Sequence, residues 1–178
     1  MKITIGRLRL LIQEALVQEA MKTSLDPEMR VQIEREDERS LSVRIKEVGK
    51  PKAHSNAYIS LRRREIDDGG YAWEVTNSNA RQGFGPLVYD LAMEYVVGKL
   101  GHSGIMADTS GNVSPAAKNV WDFYYQNRPD VGNADLPQSI YGNARFEPLK
   151  KYYFPKDGRA NKLDRFEAEG LVEYLSEN

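Results

Sequence analysis

Apolar and polar residues alternate in two short stretches near the start of the chain. Met29, Val31 and Ile33 are separated by Arg30, Gln32 and Glu34, and Leu41, Val43 and Ile45 by Ser42, Arg44 and Lys46. A period of two sends alternate side chains to opposite faces of a strand, and the polar run 35–39 lies between the two stretches. Together they predict an antiparallel hairpin with one wet face. A third strand is expected over residues 56–64, with Ala57, Ile59 and Leu61 on one face. Asp67, Asp68, Gly69 and Gly70 supply a turn, and a fourth strand runs from Tyr71 to about Asn77. Short turns between consecutive strands make this an antiparallel meander.

The period then changes to that of a helix. Leu87, Leu91 and Tyr95, with Val88, Ala92 and Val96, form a broad apolar stripe that runs to about Leu100, and Gly101 stops it. Residues 104–108 are a short apolar run suited to a buried strand. Ser114 is placed as an N-cap and Pro115 at the first helical position, and Ala117, Val120, Trp121 and Tyr124 follow at helical spacing. Strand, helix, strand, helix predicts that the strands at Tyr71 and Gly104 are parallel neighbours. Residues 127–143 contain three Pro/Gly breaks and read as loop. Residues 145–154 are strand-like and aromatic, and residues 161–175 read as a closing helix with Leu163, Phe166, Leu171 and Tyr174 inward.

Ahead of the first strand, Leu8, Leu11, Ile12, Ala15, Leu16 and Ala20 recur at helical spacing, and residues 23–27 end that pattern. The expected organisation is an amphipathic helix within residues 1–24 and a single α+β (α/β) domain over 25–178. Its sheet is expected to be mixed and mostly antiparallel, with helices on both faces. The first helix reads either as cover for its own domain or as a docking element for a protein partner or a second copy.

Composition narrows the function classes. The 178 residues carry 25 basic and 26 acidic side chains, so charge balance points to neither nucleic acid nor an anionic membrane as partner. The absence of cysteine removes disulfides, thiolate metal sites and a cysteine nucleophile. No apolar run reaches membrane-spanning length, and Arg7, Arg9, Gln13 and Glu14 interrupt the apolar core that a signal peptide needs, so a cytoplasmic protein is expected. His54 and His102 are isolated and read as surface loop residues, and no metal site is expected. Arg62, Arg63 and Arg64 read as a wet strand edge.

The stretch 71–101 carries the candidate chemistry. Between the fourth strand and its helix lie Arg81, Gln82, Gly83, Phe84, Gly85 and Pro86. A glycine-rich turn at a helix N-terminus aims main-chain N–H groups at one point, which suits a phosphate. With the order of elements around it, this turn resembles the Gcn5-related N-acetyltransferase (GNAT) superfamily, over about residues 41–154. The resemblance implies that the Gly83-Phe84-Gly85 turn holds the pyrophosphate of acetyl-coenzyme A and that Asn77 and Ser78 lie along its pantetheine arm. The family's arginine or glutamine position three residues before the first glycine falls on Ala80 here, so Arg81 is displaced by one. The family's Asn-x-x-Ala-x-x-x-Tyr helix aligns with residues 114–121, with Ser114 for the asparagine and Trp121 for the tyrosine that protonates the leaving thiolate. Indole is too weak an acid for that role, and Tyr124, one turn on, is the substitute.

Direct acetyl transfer also needs a base for the attacking amine. Glu74 on the fourth strand and Asp108 after the next strand are the candidates, each with a structural alternative: Glu74 as a solvent-facing strand residue, Asp108 as a cap. The implied function is therefore an acetyl-coenzyme A-dependent N-acetyltransferase acting on a small amine, a protein lysine, a protein N-terminus or an amino sugar. The alternative is an inactive GNAT-like module that docks on a larger assembly through its first helix.

Overall fold

The computed structural model describes residues 23–66, 69–110 and 113–176. The expected first helix, with its docking role, lies outside these residues, as do Asp67 and Asp68 of the expected turn. The described chain folds around an eight-stranded mixed sheet, ordered β6-β7-β5-β4-β3-β2-β1-β8.

Strands β1 (Met29–Arg35), β2 (Ser40–Glu47), β3 (Ala57–Glu65) and β4 (Tyr71–Ala80) form the antiparallel meander. Helix α1 (Gly85–Glu94) continues through a π-helical turn over Tyr95–Lys99, and Gly101, at φ 67°, ends it. Strand β5 (Gly104–Met106) returns parallel to β4, as the strand–helix–strand pattern requires. Helix α2 (Pro115–Asn127) starts on Ser114, whose hydroxyl accepts the Ala117 N–H at 3.2 Å.

The segment 127–143 is not the expected loop. It holds β6 (Val131–Asp135), which pairs antiparallel with β7, and the short helix α3 (Gln138–Tyr141). Five residues bounded by turns carry too little period to be recognised, and β6 owes its structure to its partner strand. The aromatic strand expected over 145–154 shrinks to β7 (Lys151–Pro155), preceded by a 3₁₀ turn at Glu147–Lys150. The closing helix is also shorter. Helix α4 (Asn161–Ala168) stops at Gly170, φ 70°, and β8 (Val172–Ser176) then pairs parallel with β1.

Alternation decides the two faces of the sheet. Val31, Val43, Ile45, Ile59, Leu61, Trp73 and Ile105 point to one face, where Leu87, Leu91, Val96, Trp121, Leu163 and Phe166 of the helical layer bury them. Ala72 and Met106 point to the other face, against Ile140 and Tyr141 of α3. The Arg62-Arg63-Arg64 run is not at a sheet edge, because β3 is enclosed by β2 and β4. His102 is half-buried rather than a surface residue, and its Nδ1 accepts the Trp73 indole N–H at 2.8 Å. Among the described residues no helix is long and apolar enough to cross a membrane.

Candidate functional site

Strand β4 is the element that shapes the site. Its pairing with β5 stops at Glu74, opposite Met106, while β4 itself continues to Ala80. Beyond Glu74 the β5 side of β4 therefore has no strand partner. On the other side, Val75 pairs with Leu61 and Asn77 with Ser60, so Thr76 is an extra residue in the ladder. Such a bulge bends and twists the strand locally. No glycine or proline marks it in the sequence.

A groove follows the free edge of β4. One end is lined by Val75, Thr76, Asn77 and Ser78 of β4, Tyr89 of α1, Asp108, and Ser114, Ala117 and Trp121 around the start of α2. The other end is a cleft of about 420 Å³ formed by residues 78–81 with Gly83, Gly85, Pro86, Ala116 and Ala117 among its walls. Ser78, Tyr89, Ser114 and Ala117 belong to both ends, so the two are continuous.

The cleft end suits an anion. The N-termini of α1 and α2 both open on it, and no side chain caps α1. The first N–H groups of a helix have no partner within it, and their dipoles favour negative charge. Gly83 sits at φ 85°, where a side chain is strained. Gly85 is different: a Cβ there would meet only the Ala80 Cβ at 3.8 Å, an ordinary contact. The fold does not require glycine at 85, but the cleft gains backbone access from it.

The residues expected to bind cofactor divide accordingly. Asn77 and Ser78 line the groove, and Arg81, Gly83, Gly85 and Pro86 line the cleft. Phe84 is instead buried in the core, and Gln82 is exposed outside the cleft lining. Arg81 is held by its neighbour, its guanidinium donating to Asn56 Oδ1 at 3.1 Å.

The expected catalytic residues separate as well. Glu74 is fully buried, not solvent-facing, and lies on the sheet face opposite α1. Its Oε2 accepts from Arg62 at 2.9 Å and Arg64 at 2.8 Å, and its Oε1 from the Thr109 hydroxyl at 2.6 Å and N–H at 2.9 Å. Burial pushes its pKa up, but the donors from Thr109, Arg62 and Arg64 outweigh that and bring it to about 2. A carboxylate this weakly basic and this fully bonded serves as a clamp between β3, β4 and Thr109.

Tyr124 is also turned away from the groove. Its hydroxyl is 2.7 Å from Asp90 Oδ1 and 3.1 Å from the Pro86 carbonyl. Asp90 further accepts from Arg128 at 2.9 Å and pairs with Lys162 at 3.1 Å. Glu94, one turn along α1, accepts the Lys162 and Leu163 N–H groups at 2.8 Å each and so caps α4. Burial first, then Asp90, raises the Tyr124 pKa well above its ordinary value. These groups tie α1, α2 and α4 together beneath the groove.

Asp108 does line the groove, with its Oδ1 accepting the Ser110 N–H at 2.7 Å. The hydroxyl that faces the groove from α1 is Tyr89, 2.9 Å from Ser78 Oγ and edge-on to Trp121. Burial raises its pKa, partly offset by Ser78. Tyr89 sits within the apolar stripe of α1, so the sequence offers no sign separating it from core positions. Among the described residues no group of three or more His, Cys, Asp or Glu side chains is placed to hold a metal ion. No protein-family model matches the chain, and no curated protein matches it.

Proposed function

We propose that the protein is an acetyl-coenzyme A-dependent N-acetyltransferase. The observation that carries this reading is the single groove along the unpaired edge of β4, which joins a two-helix anion cleft to a narrow slot at the Thr76 bulge. The cleft would hold the pyrophosphate on the main-chain N–H groups of Gly83, Gly85 and Leu87, leaving the extended arm to run beside Ser78 and Asn77. Small residues at Gly83, Gly85, Ala116 and Ala117 leave room for it.

At the bulge end, the neutral amine nitrogen attacks the thioester carbonyl. The C–N bond forms, the C–S bond breaks, and the thiolate leaves. Tyr89 is the groove hydroxyl suited to donate to that thiolate, in place of Tyr124. Asp108 is the groove carboxylate suited to take the amine proton, directly or through water. Glu74 keeps a structural role.

Calorimetric titration with acetyl-coenzyme A tests the reading, with saturable binding in the micromolar range expected. Ala116→Glu places a negative charge in the cleft at an exposed helix-start position that tolerates it, and should weaken binding at least tenfold. Gly83→Glu should do the same. Failure of the wild type to bind up to high micromolar concentration sinks the proposal. Normal binding by both variants puts the site elsewhere. Binding without acetyl release to any amine would favour the inactive module instead.

A further inference from the structure

A second pocket, of about 380 Å³, lies beyond the cleft and shares Asn79, Ala80 and Arg81 with it. Its cations are Arg44, Lys52 and Arg81, and Ser55, Asn56 and Tyr58 add polar groups. No carboxylate lines it among the described residues. Glu34 answers Lys52 at 2.7 Å, while Arg44 lies over the Tyr58 ring, 5.5 Å from its centroid. Two buried donor atoms here have no hydrogen-bond partner: Arg44 Nε and Asn56 Nδ2, Asn56 being only 4% exposed. Buried donors without partners are costly, and three cations in a lining without a carboxylate suit an anionic ligand.

The position of the pocket says whose anion this is. Arg44, Tyr58 and Asn79 are cross-strand neighbours. The adjacent row of Val43, Ile59 and Ser78 faces α1, as the Ser78–Tyr89 contact shows. Arg44 and Tyr58 therefore face the other side of the sheet from α1, while Asn79, at the free edge of β4, borders both the pocket and the cleft. Exposed Asn79 and Asn77 continue that row along the free edge of β4, beside the groove, towards the bulge at Thr76.

We infer that the acceptor is an amine carrying a phosphate or carboxylate, whose acid end binds the Arg44–Asn56–Arg81 pocket while its amine reaches the Thr76 bulge along β4. The inference rests on the acetyltransferase reading. The three strand residues from Asn79 to Thr76 set the spacing of the two ends at roughly 10 Å.

The test compares 6-aminohexyl phosphate and 7-aminoheptanoate with 6-amino-1-hexanol as acceptors, following thiol release from acetyl-coenzyme A. At least one acidic amine should show a kcat/KM tenfold or more above the alcohol. Arg44→Gln, and separately the exposed-site Lys52→Gln, should lose most of that preference while binding acetyl-coenzyme A normally. Equal rates for all three amines, or a preference that survives both variants, overturns the inference. So does weaker binding of 3′-dephospho-acetyl-coenzyme A in the wild type but not in Arg44→Gln, since the pocket would then serve the coenzyme. If acetyl-coenzyme A does not bind at all, the transfer reading and the acceptor assignment both fall. Titration with inorganic phosphate then reports separately whether the pocket takes an anion that Arg44→Gln releases.

Discussion

Glu74 and Asp108 look interchangeable in the sequence, yet their surroundings give them different work. Glu74 is enclosed by Arg62, Arg64 and Thr109, whereas Asp108 borders the groove. A carboxyl whose pKa falls from 4.5 to about 2 on folding contributes on the order of 3 kcal/mol, less what the partly exposed arginines lose to solvent screening. The unfolded chain takes up this proton first. The contribution is therefore complete above pH 4.5 and is lost as pH falls from there towards 2. Glu74→Gln should destabilise the protein by about 2–3 kcal/mol at pH 7 and flatten the acid limb of its denaturation profile. An unchanged acid limb in the variant would show that the clamp does not titrate as described. The two tyrosines make a second pair. Tyr89→Phe should lower kcat about tenfold or more at nearly constant stability. Tyr124→Phe should cost about 1–2 kcal/mol of stability, from the donor lost to buried Asp90, and leave transfer through bound coenzyme largely intact. The reverse pattern would return the acid role to Tyr124.

At the scale of elements, ends decide more than interiors. Gly170 adopts φ 70°, and a Cβ there would meet nothing within 4 Å. Gly170→Ala therefore isolates backbone strain, and chemical denaturation should register a loss of about 1–2 kcal/mol. Ser114→Ala removes the side-chain cap of α2 and should lower stability by about 1 kcal/mol. A larger loss would mean that Ser114 also supports the groove wall. The cap, Pro115 and the apolar stripe of α2 are consecutive in sequence and could be read there. The stop at Gly170 could not, because Leu171 and Tyr174 continue the spacing of Leu163 and Phe166. Leu171 stays buried, but Tyr174 lands on β8 and is half exposed.

At the scale of the molecule, the groove exists because two neighbouring strands differ in length. β5 ends at Met106 while β4 runs six residues past its last pair with β5, and α1 and α2 close over the gap. The strands β1 to β4, the parallel return to β5, α1 and α2 were all legible in the sequence, since their hydrophobic periods and caps depend on near neighbours along the chain. So was the Gly-x-Gly turn before α1, which is itself a local feature. Tertiary structure alone decided the rest. β8 becomes a strand by pairing with β1, where Gln32 meets Glu173 across 141 residues of sequence. Glu74 becomes a clamp, Tyr124 turns towards Asp90, Tyr89 faces the groove, and Arg44, Asn56 and Arg81 gather at one pocket. A residue's type and spacing limit the chemistry open to it, but burial and partners select among those roles, and both arise only when distant segments meet.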